Sequence, residues 1–244
     1  MNTDLQQLAE RVFYLPHEEP TDRPALGYVR GDRYALAVDA GNSRRHVEKF
    51  YAALDDAGLR RPDFTALTHW HWDHTFGLHA VGGVTIACAA TSEMLRRAAR
   101  WKWDEAAMRE RLRTGEEIEF CDTHIRAEYP DRREICVVPA GFAFTGCLSI
   151  DLGGVRCMLS QIEAPHERDC VLVQVPEQGV LFAGDADCGD LYGLGGEYDK
   201  MRLEHYFTTM EAMTFEQYVP GHSAPERKEE TLAVLGAELA GAGD

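Results

Sequence analysis

Short apolar runs separated by turn residues extend along most of the chain. The runs 26–29 and 33–38 flank Gly31-Asp32 and predict a β-hairpin near the N-terminus. Apolar positions over 47–57 recur at helical spacing, which predicts an amphipathic helix. Further strands are predicted at 11–15, 64–68, 155–159, 179–183 and 217–220. No internal repeat or long linker interrupts this pattern, so residues 1–244 are predicted to form one domain.

The stretch His69–His74 has the sequence HWHWDH and follows the predicted strand 64–68 directly. It holds four potential metal ligands within six residues, and imidazole and carboxylate groups together suit zinc, manganese or iron. The alternative is a polar loop with buried histidines, but four such side chains would each need a partner. The motif therefore indicates a metal site, with His69 and His71 facing one ion and Asp73 and His74 left for a neighbouring one.

Three later loops repeat this placement of polar residues after a strand. Each carries a His or Asp beside Gly or Pro, namely His166, Asp185 and His222. Because rigid strands hold such loops at a common edge, these side chains are candidates for the same site. Either histidine alone would be explained as well by a structural role.

Taken together, these motifs resemble those of the metallo-β-lactamase superfamily over roughly residues 10 to 225, with a ligand set similar to that of glyoxalase-II enzymes. The resemblance implies an α/β fold, a four-layer αββα sandwich of two mixed β-sheets with helices on the outer faces. It implies two divalent metal ions, zinc in the first instance, with manganese and iron as alternatives. One ion would be held by His69, His71 and His166, and the other by Asp73, His74 and His222, with Asp185 bridging both.

Other residues acquire roles from the same resemblance. Asp39 is similar to the family's early Asp-x-Gly turn, which implies support of the ligands from outside the coordination shell; capping of the following helix is the alternative. Asp73 would also orient the attacking hydroxide or shuttle its proton. Tyr192, the nearest tyrosine after Asp185, is a candidate to steady the oxyanion.

The implied activity is hydrolysis of a small, neutral or anionic ester, lactone or thioester by a hydroxide that bridges the two metal ions. Asp185 stands where many true β-lactamases of this fold carry Cys or Ser, which argues against antibiotic hydrolysis. About 22 residues follow His222, where glyoxalase-II enzymes add a helical domain, so a glutathione thioester is disfavoured. A mononuclear iron oxidoreductase similar to persulfide dioxygenases and a phosphodiesterase are the alternatives.

A stretch at about 91–134 is predicted to be a helical insertion between the first two metal motifs. Its first half is predicted as one helix, capped by Thr91 or Ser92, with an apolar stripe at Met94, Ala98, Trp101, Met108 and Leu112. One interpretation is a helix packed on the body with a solvated Arg/Glu face. The other is a lid over the metals, in which Trp101, Trp103 or Arg100 touches the substrate.

Composition excludes some partners. The formal net charge of −16 disfavours a nucleic acid, although ten Lys and Arg residues within 91–134 would suit a small anionic substrate. No apolar run approaches eighteen residues, so no membrane partner is expected, and the start lacks signal-peptide features, so we expect a cytoplasmic protein. Seven cysteines without a CxxC pair predict reduced thiols, with Cys188 as a minor candidate for an extra ligand. The oligomeric state is not indicated.

Overall fold

Apolar side chains from two β-sheets meet in a shared core. The computed structural model describes residues 4–241. Inward-facing residues such as Leu36 and Val38 of one sheet and Val171 and Val173 of the other are buried in the same cluster. Their neighbours Ala37 and Leu172 point outward onto helices. This alternation is what a strand with one face on each of two cores requires.

The first sheet has seven strands that follow one another in chain order. They are β1 Gln6–Ala9, β2 Val12–Leu15, β3 Leu26–Arg30, β4 Ala35–Val38, β5 Phe64–Ala66, β6 Val84–Cys88 and β7 Phe142–Phe144. The strands β1 to β4 pair antiparallel, and β4 to β7 pair parallel.

The second sheet has six strands in the order β13-β12-β11-β10-β9-β8. They are β8 Cys147–Asp151, β9 Arg156–Ile162, β10 Cys170–Val175, β11 Val180–Gly184, β12 Gln217–Pro220 and β13 Glu226–Arg227. Only β11 and β12 are parallel neighbours. Both sheets are therefore mixed.

Helices cover the outer faces of both sheets. They are α1 Arg44–Asp56, α2 Trp72–Thr75, α3 Ala89–Ala98, α4 Glu105–Thr114, α5 Glu119–Glu128, α6 Lys200–Ala212 and α7 Lys228–Gly241. The apolar face of α1 packs on the first sheet, and α6 and α7 pack on the second. The predicted αββα sandwich is confirmed. Within residues 4–241, no helix combines the length and apolar character needed to cross a bilayer.

The prediction of one helix in the first half of the insertion was wrong in two respects. The helix begins earlier, at Ala89, because the Cys88 Sγ accepts the N-cap hydrogen bond from Thr91 N. It also ends at Ala98, and a new helix starts after Asp104, whose carboxylate accepts hydrogen bonds from two backbone N–H groups of α4. An N-cap aspartate interrupts the apolar stripe, so one predicted helix is two.

The start and the N-cap of α1 also differ from the prediction. α1 begins at Arg44, three residues before the predicted start, and its N-cap is Ser43. Asp39 therefore does not cap this helix, and that alternative was wrong. The strands at 217–220 and 26–30 lie where the alternation placed them.

Candidate metal centre

The proposed ligands converge because several strands end at one edge of the sandwich. His69 to His74 follow β5, whose parallel neighbour β4 ends just before Asp39. In the second sheet, β11 runs into Asp185 and its parallel neighbour β12 runs into Gly221-His222. Carboxyl ends of parallel strands meet at the same edge, so residues distant in sequence come together.

Three buried histidines form the first ligand set: His69, His71 and His166. The Nε2 of His166 lies 2.9 Å from the Nδ1 of His71. The ring of His69 is 4.6 Å from that of His71 and 5.2 Å from that of His166, measured between centroids. Burial lowers the pKa of His69, and burial with the neighbouring His71 lowers that of His166 to about 4. Such imidazoles stay neutral, which is the form that binds a metal.

The second set combines two carboxylates with two imidazoles: Asp73, His74, Asp185 and His222. The Oδ2 of Asp73 lies 3.0 Å from the Nε2 atoms of both His74 and His222. Burial opposes protonation of His74, but the nearby carboxylates raise its pKa on balance. This set is therefore more anionic than the first and suits a hard divalent ion.

Asp185 lies between the two sets. Its Oδ2 is 4.0 Å from the His69 Nε2 and 3.7 Å from the His166 Nε2. The same carboxylate is 3.3 Å from the His74 Nε2 through Oδ1 and 3.4 Å from the His222 Nε2 through Oδ2. One carboxylate thus reaches both groups of histidines.

The donor atoms fit divalent metal ions. Among the described side chains, the Nε2 atoms of His69 and His74 and the Oδ1 of Asp185 are buried without a hydrogen-bond partner. Buried polar atoms without partners are costly and rare, and a coordinated ion would satisfy all three. A set of imidazoles and carboxylates of this size matches zinc, manganese or iron coordination.

Each histidine of the cluster has an acceptor behind it that sets which ring nitrogen faces the centre. Asp39 Oδ2 is 2.8 Å from the His74 Nδ1, and the Thr68 hydroxyl, which donates to Asp39, is 3.1 Å from the His69 Nδ1. The carbonyl of Gly189 lies 2.9 Å from the His166 Nδ1. These bonds leave the Nε2 of each ring for the centre, as in other metal sites.

Of these supports the sequence indicated only Asp39, and it also did not indicate two carboxylates that lie near the remaining histidines. Glu167 Oε1 lies 3.4 Å from the His71 Nε2, which turns the Nδ1 of that ring inward. Asp22 Oδ1 lies 3.3 Å from the His222 Nδ1. Glu167 could have been suspected because it follows His166, whereas nothing in the sequence near Asp22 links it to His222.

The predicted catalytic tyrosine lies beside the first set. The ring of Tyr192 is 5.1 Å from that of His71, and its hydroxyl donates to Glu117 Oε1 at 2.9 Å and lies 3.5 Å from the Cys121 Sγ. Burial raises the pKa of Tyr192. The structure therefore places its ring, rather than a free hydroxyl, against the candidate ligands.

Of the predicted substrate contacts, Trp101 lines a pocket of about 620 Å³ together with Trp70, Glu167 and Tyr192, which lie beside His71. The Arg111 guanidinium lies over both Trp101 and Trp103, 5.0 Å and 4.5 Å from their ring centroids, and Arg100 is exposed beyond α3. A second pocket, of about 400 Å³, opens on the ligands, and the three predicted contacts are not among its described lining. Apart from the ligands, that lining consists of His17, Glu19, Asp22, Phe120, Cys121, His124, Cys188, Gly189 and Leu191.

All seven cysteines are free, and Cys88, Cys121, Cys157 and Cys170 are buried. Cys188 borders the pocket but is not part of either ligand set among the described residues. The expectation of unpaired thiols is met.

The fold and the two ligand sets together point to one protein family. A model described as the metallo-beta-lactamase superfamily matches residues 25–222. The chain belongs to the metallo-β-lactamase superfamily, and it carries a His/Asp cluster able to hold metal.

Sequence identity to individual relatives is low. The chain is 25% identical over 190 residues to the acyl-coenzyme A thioesterase MBLAC2 of Gallus gallus, an alignment covering 73% of this chain but only 63% of that protein. A metallo-β-lactamase from Pontibacter korlensis has a TM-score of 0.66 at 15% identity, covering 96% of this chain and 97% of that one. The sec-alkylsulfatase Pisa1 from Pseudomonas sp. has a TM-score of 0.68 at 14% identity, covering 98% and 41%. At these identities the two structures show the fold alone.

Proposed function

We propose that this protein is a dinuclear, zinc-dependent hydrolase of small thioesters. The observation that carries the proposal is the position of Asp185, whose carboxylate faces the histidines of both ligand sets, together with the buried Nε2 atoms of His69 and His74, which have no hydrogen-bond partner. The thioester is preferred over an ester or lactone because the thioesterase MBLAC2 is the curated relative with matching sequence.

His69, His71 and His166 would hold one ion, and Asp73, His74 and His222 the other, with Asp185 shared. When bound, two such ions lower the pKa of a water molecule between them and polarise the substrate carbonyl. The water oxygen bonds to the carbonyl carbon, the carbon–sulfur bond breaks, and a proton passes to the thiolate. The products are a carboxylic acid and a thiol.

The remaining chemistry belongs to the side chains. Asp73 holds the second ion and orients the attacking water, and it can accept the proton that water releases. Tyr192 would have to leave Glu117 to reach an oxyanion, so its position supports the narrower role of holding the His71 ring in place.

The test is metal content per chain by plasma mass spectrometry, on protein purified without added metal or chelator, together with thiol release from acyl thioesters. We expect close to two zinc ions and steady thiol release. His166→Ala and Asp185→Ala should lose metal and activity. His205→Ala, an exposed histidine of α6, is the matched control and should retain both.

One iron ion per chain with oxygen uptake would contradict the proposal and favour the mononuclear oxidoreductase. Two ions with turnover of phosphodiesters but not of thioesters would keep the metal centre and replace the substrate.

A further inference from the structure

The pocket in front of the ligand cluster has an apolar wall. Phe120 and Cys121 come from the first turn of α5, and Leu191 comes from the loop after β11. Resting on the thioesterase proposed above, we propose that this pocket receives an apolar, uncharged acyl group, and that Phe120 and Leu191 set its preferred length.

The exposed side chain of Phe120 is the main indication that a ligand covers this wall. Phe120 is 49% exposed and borders the pocket, and its ring contacts that of His124 in a tilted arrangement with 4.3 Å between centroids. A methylene chain laid on Phe120 and Leu191 would remove this apolar surface from water, a favourable transfer. A pocket of about 400 Å³ is within the size range of small-molecule sites.

Away from the metal ligands, the charged side chains of the pocket lining disfavour an anionic acyl group. Glu19 and Asp22 line it beside the ligand carboxylates, and the described lining contains no Lys or Arg. Several arginines of the insertion that seemed suited to an anion form ion pairs with carboxylates of the same stretch. Arg97 pairs with Glu116, Arg126 with Asp122, and Arg113 with Glu110.

The charges of Glu19 and Asp22 also indicate which half of a thioester, the acyl group or the thiol leaving group, enters the pocket. A leaving group that carries phosphates would be repelled by Glu19 and Asp22, so it would extend away from this pocket. The acyl half is then the part that enters it.

Buried contacts anchor the C-terminal end of α5, the helix that supplies the wall. Glu128, at the end of α5, is buried and accepts a hydrogen bond from Arg23 Nη2 at 3.0 Å. The next residue, Tyr129, donates its hydroxyl proton to the carbonyl of Asn42 at 2.7 Å. These buried contacts fix the C-terminal end of α5 to the segment that carries Asp22, so Phe120 has a defined distance to the ligands.

The experiment uses alkyl hydroxamic acids with acyl chains of two to eight carbons, titrated into the zinc-loaded protein by calorimetry. Their head group binds zinc, so their chain reports on the acyl pocket without any hydrolysis. We expect Kd to fall roughly threefold to fourfold for each added methylene until the pocket is filled. A chain of the same length ending in a carboxylate should bind at least about tenfold more weakly.

Phe120→Ala and Leu191→Ala should flatten the dependence on chain length while leaving the two-carbon compound within about twofold of wild type, and Phe120→Leu should restore most of it. Phe142→Ala is the matched control, because Phe142 is a 66% exposed aromatic residue on β7 outside the pocket lining. The values of kcat/KM for the corresponding thioesters should follow the same series.

Affinity that does not change with chain length, or that favours the carboxylate-ended chain, would overturn the inference. Chain-length dependence without thioester hydrolysis would overturn the proposed reaction but keep the apolar pocket. Failure of every hydroxamate to bind the zinc-loaded protein would overturn both.

Discussion

Asp39 Oδ2 lies 2.8 Å from the Nδ1 of His74, although the two residues are 35 positions apart. The same carboxylate accepts hydrogen bonds from the backbone N–H and the hydroxyl of Thr68, whose oxygen faces His69. One buried aspartate therefore orients a histidine of each ligand set. Its φ of 65° is in the left-handed region, which few residues other than Gly, Asn and Asp adopt readily.

Replacing Asp39 with asparagine should weaken metal binding without unfolding the protein. Asparagine has the same shape and tolerates the positive φ, but it lacks the charge that holds the His74 and Thr68 donors. We expect zinc affinity to fall about 10- to 100-fold, measured by competition with a chromogenic chelator. Asp55→Asn, an exposed position on α1, is the control. Equal zinc affinity in the two variants would show that Asp39 does not support the ligands.

Gly221 lies where any side chain would meet the shared carboxylate. A Cβ at this position would be 2.0 Å from Asp185 Oδ1 and 3.0 Å from the His74 Cε1. We expect Gly221→Ala to displace Asp185, lower the metal content below two ions per chain, and reduce turnover at least about tenfold. In Gly82→Ala, where a Cβ has open space, both quantities should match wild type. A fully loaded Gly221→Ala protein would mean that Asp185 can shift without loss of coordination.

Asp169 should make stability depend on pH. Burial raises the pKa of Asp169 to about 6, against an ordinary value of 3.8, while the hydrogen bond from Thr91 acts the other way. Between these values the folded protein binds more protons than the unfolded chain, so the free energy of unfolding should fall as pH rises from about 4 to 6 and level off above. The loss at pH 7 is at most about 3 kcal/mol.

Asp169→Asn mimics the protonated carboxyl group and tests this sign. Its free energy of unfolding, from urea titrations, should match wild type near pH 4 and exceed it at pH 7. Asp151→Asn, at an exposed carboxyl group, should not show this growing difference. A constant offset between Asp169→Asn and wild type over this pH range would rule out titration of Asp169.

The contact between Arg23 and Glu128 should contribute strongly to stability. The two side chains are 17% and 2% exposed, so removing Arg23 leaves the Glu128 charge buried, whereas removing Glu128 leaves Arg23 its ion pair with Glu18. We expect Arg23→Ala to lower the free energy of unfolding by about 3–5 kcal/mol, Glu128→Ala to lower it by less, and the double variant to lose much less than the sum. The exposed pair Arg113 and Glu110 is the control and should show little effect. Strictly additive losses would mean that the two residues act independently.

Short sequence patterns were sufficient to predict the features of this protein that depend on residues close together in the chain. The run His69–His74 places four potential ligands, three histidines and one aspartate, directly after a strand, so a metal site could be predicted before the fold was known. The hairpin around Gly31 and the strand Gln217–Pro220 follow from short apolar runs bounded by turn residues, which act over a few positions. The family resemblance rested on the same short motifs and is confirmed by the match over residues 25–222.

The predictions that did not match the structure concern features that depend on contacts between segments distant in the sequence. The apolar stripe after Thr91 suggested one helix, but the cap at Asp104 begins another, so Trp103 packs on Phe76. The arginines of the same stretch suggested an anion site, yet some of them, such as Arg97 and Arg113, already form ion pairs with carboxylates on the surface. Composition counts charges but does not say which of them are already paired.

The sequence by itself therefore determined the type of site, because ligand chemistry is a property of individual residues and of their spacing on one turn. Only the tertiary structure decided what surrounds that site. Asp22 and Glu167 became supports of His222 and His71, and Phe120 became a wall of the pocket, through the packing of segments far apart in the chain. Such contacts depend on how two sheets and their helices pack together, and no local pattern records that arrangement.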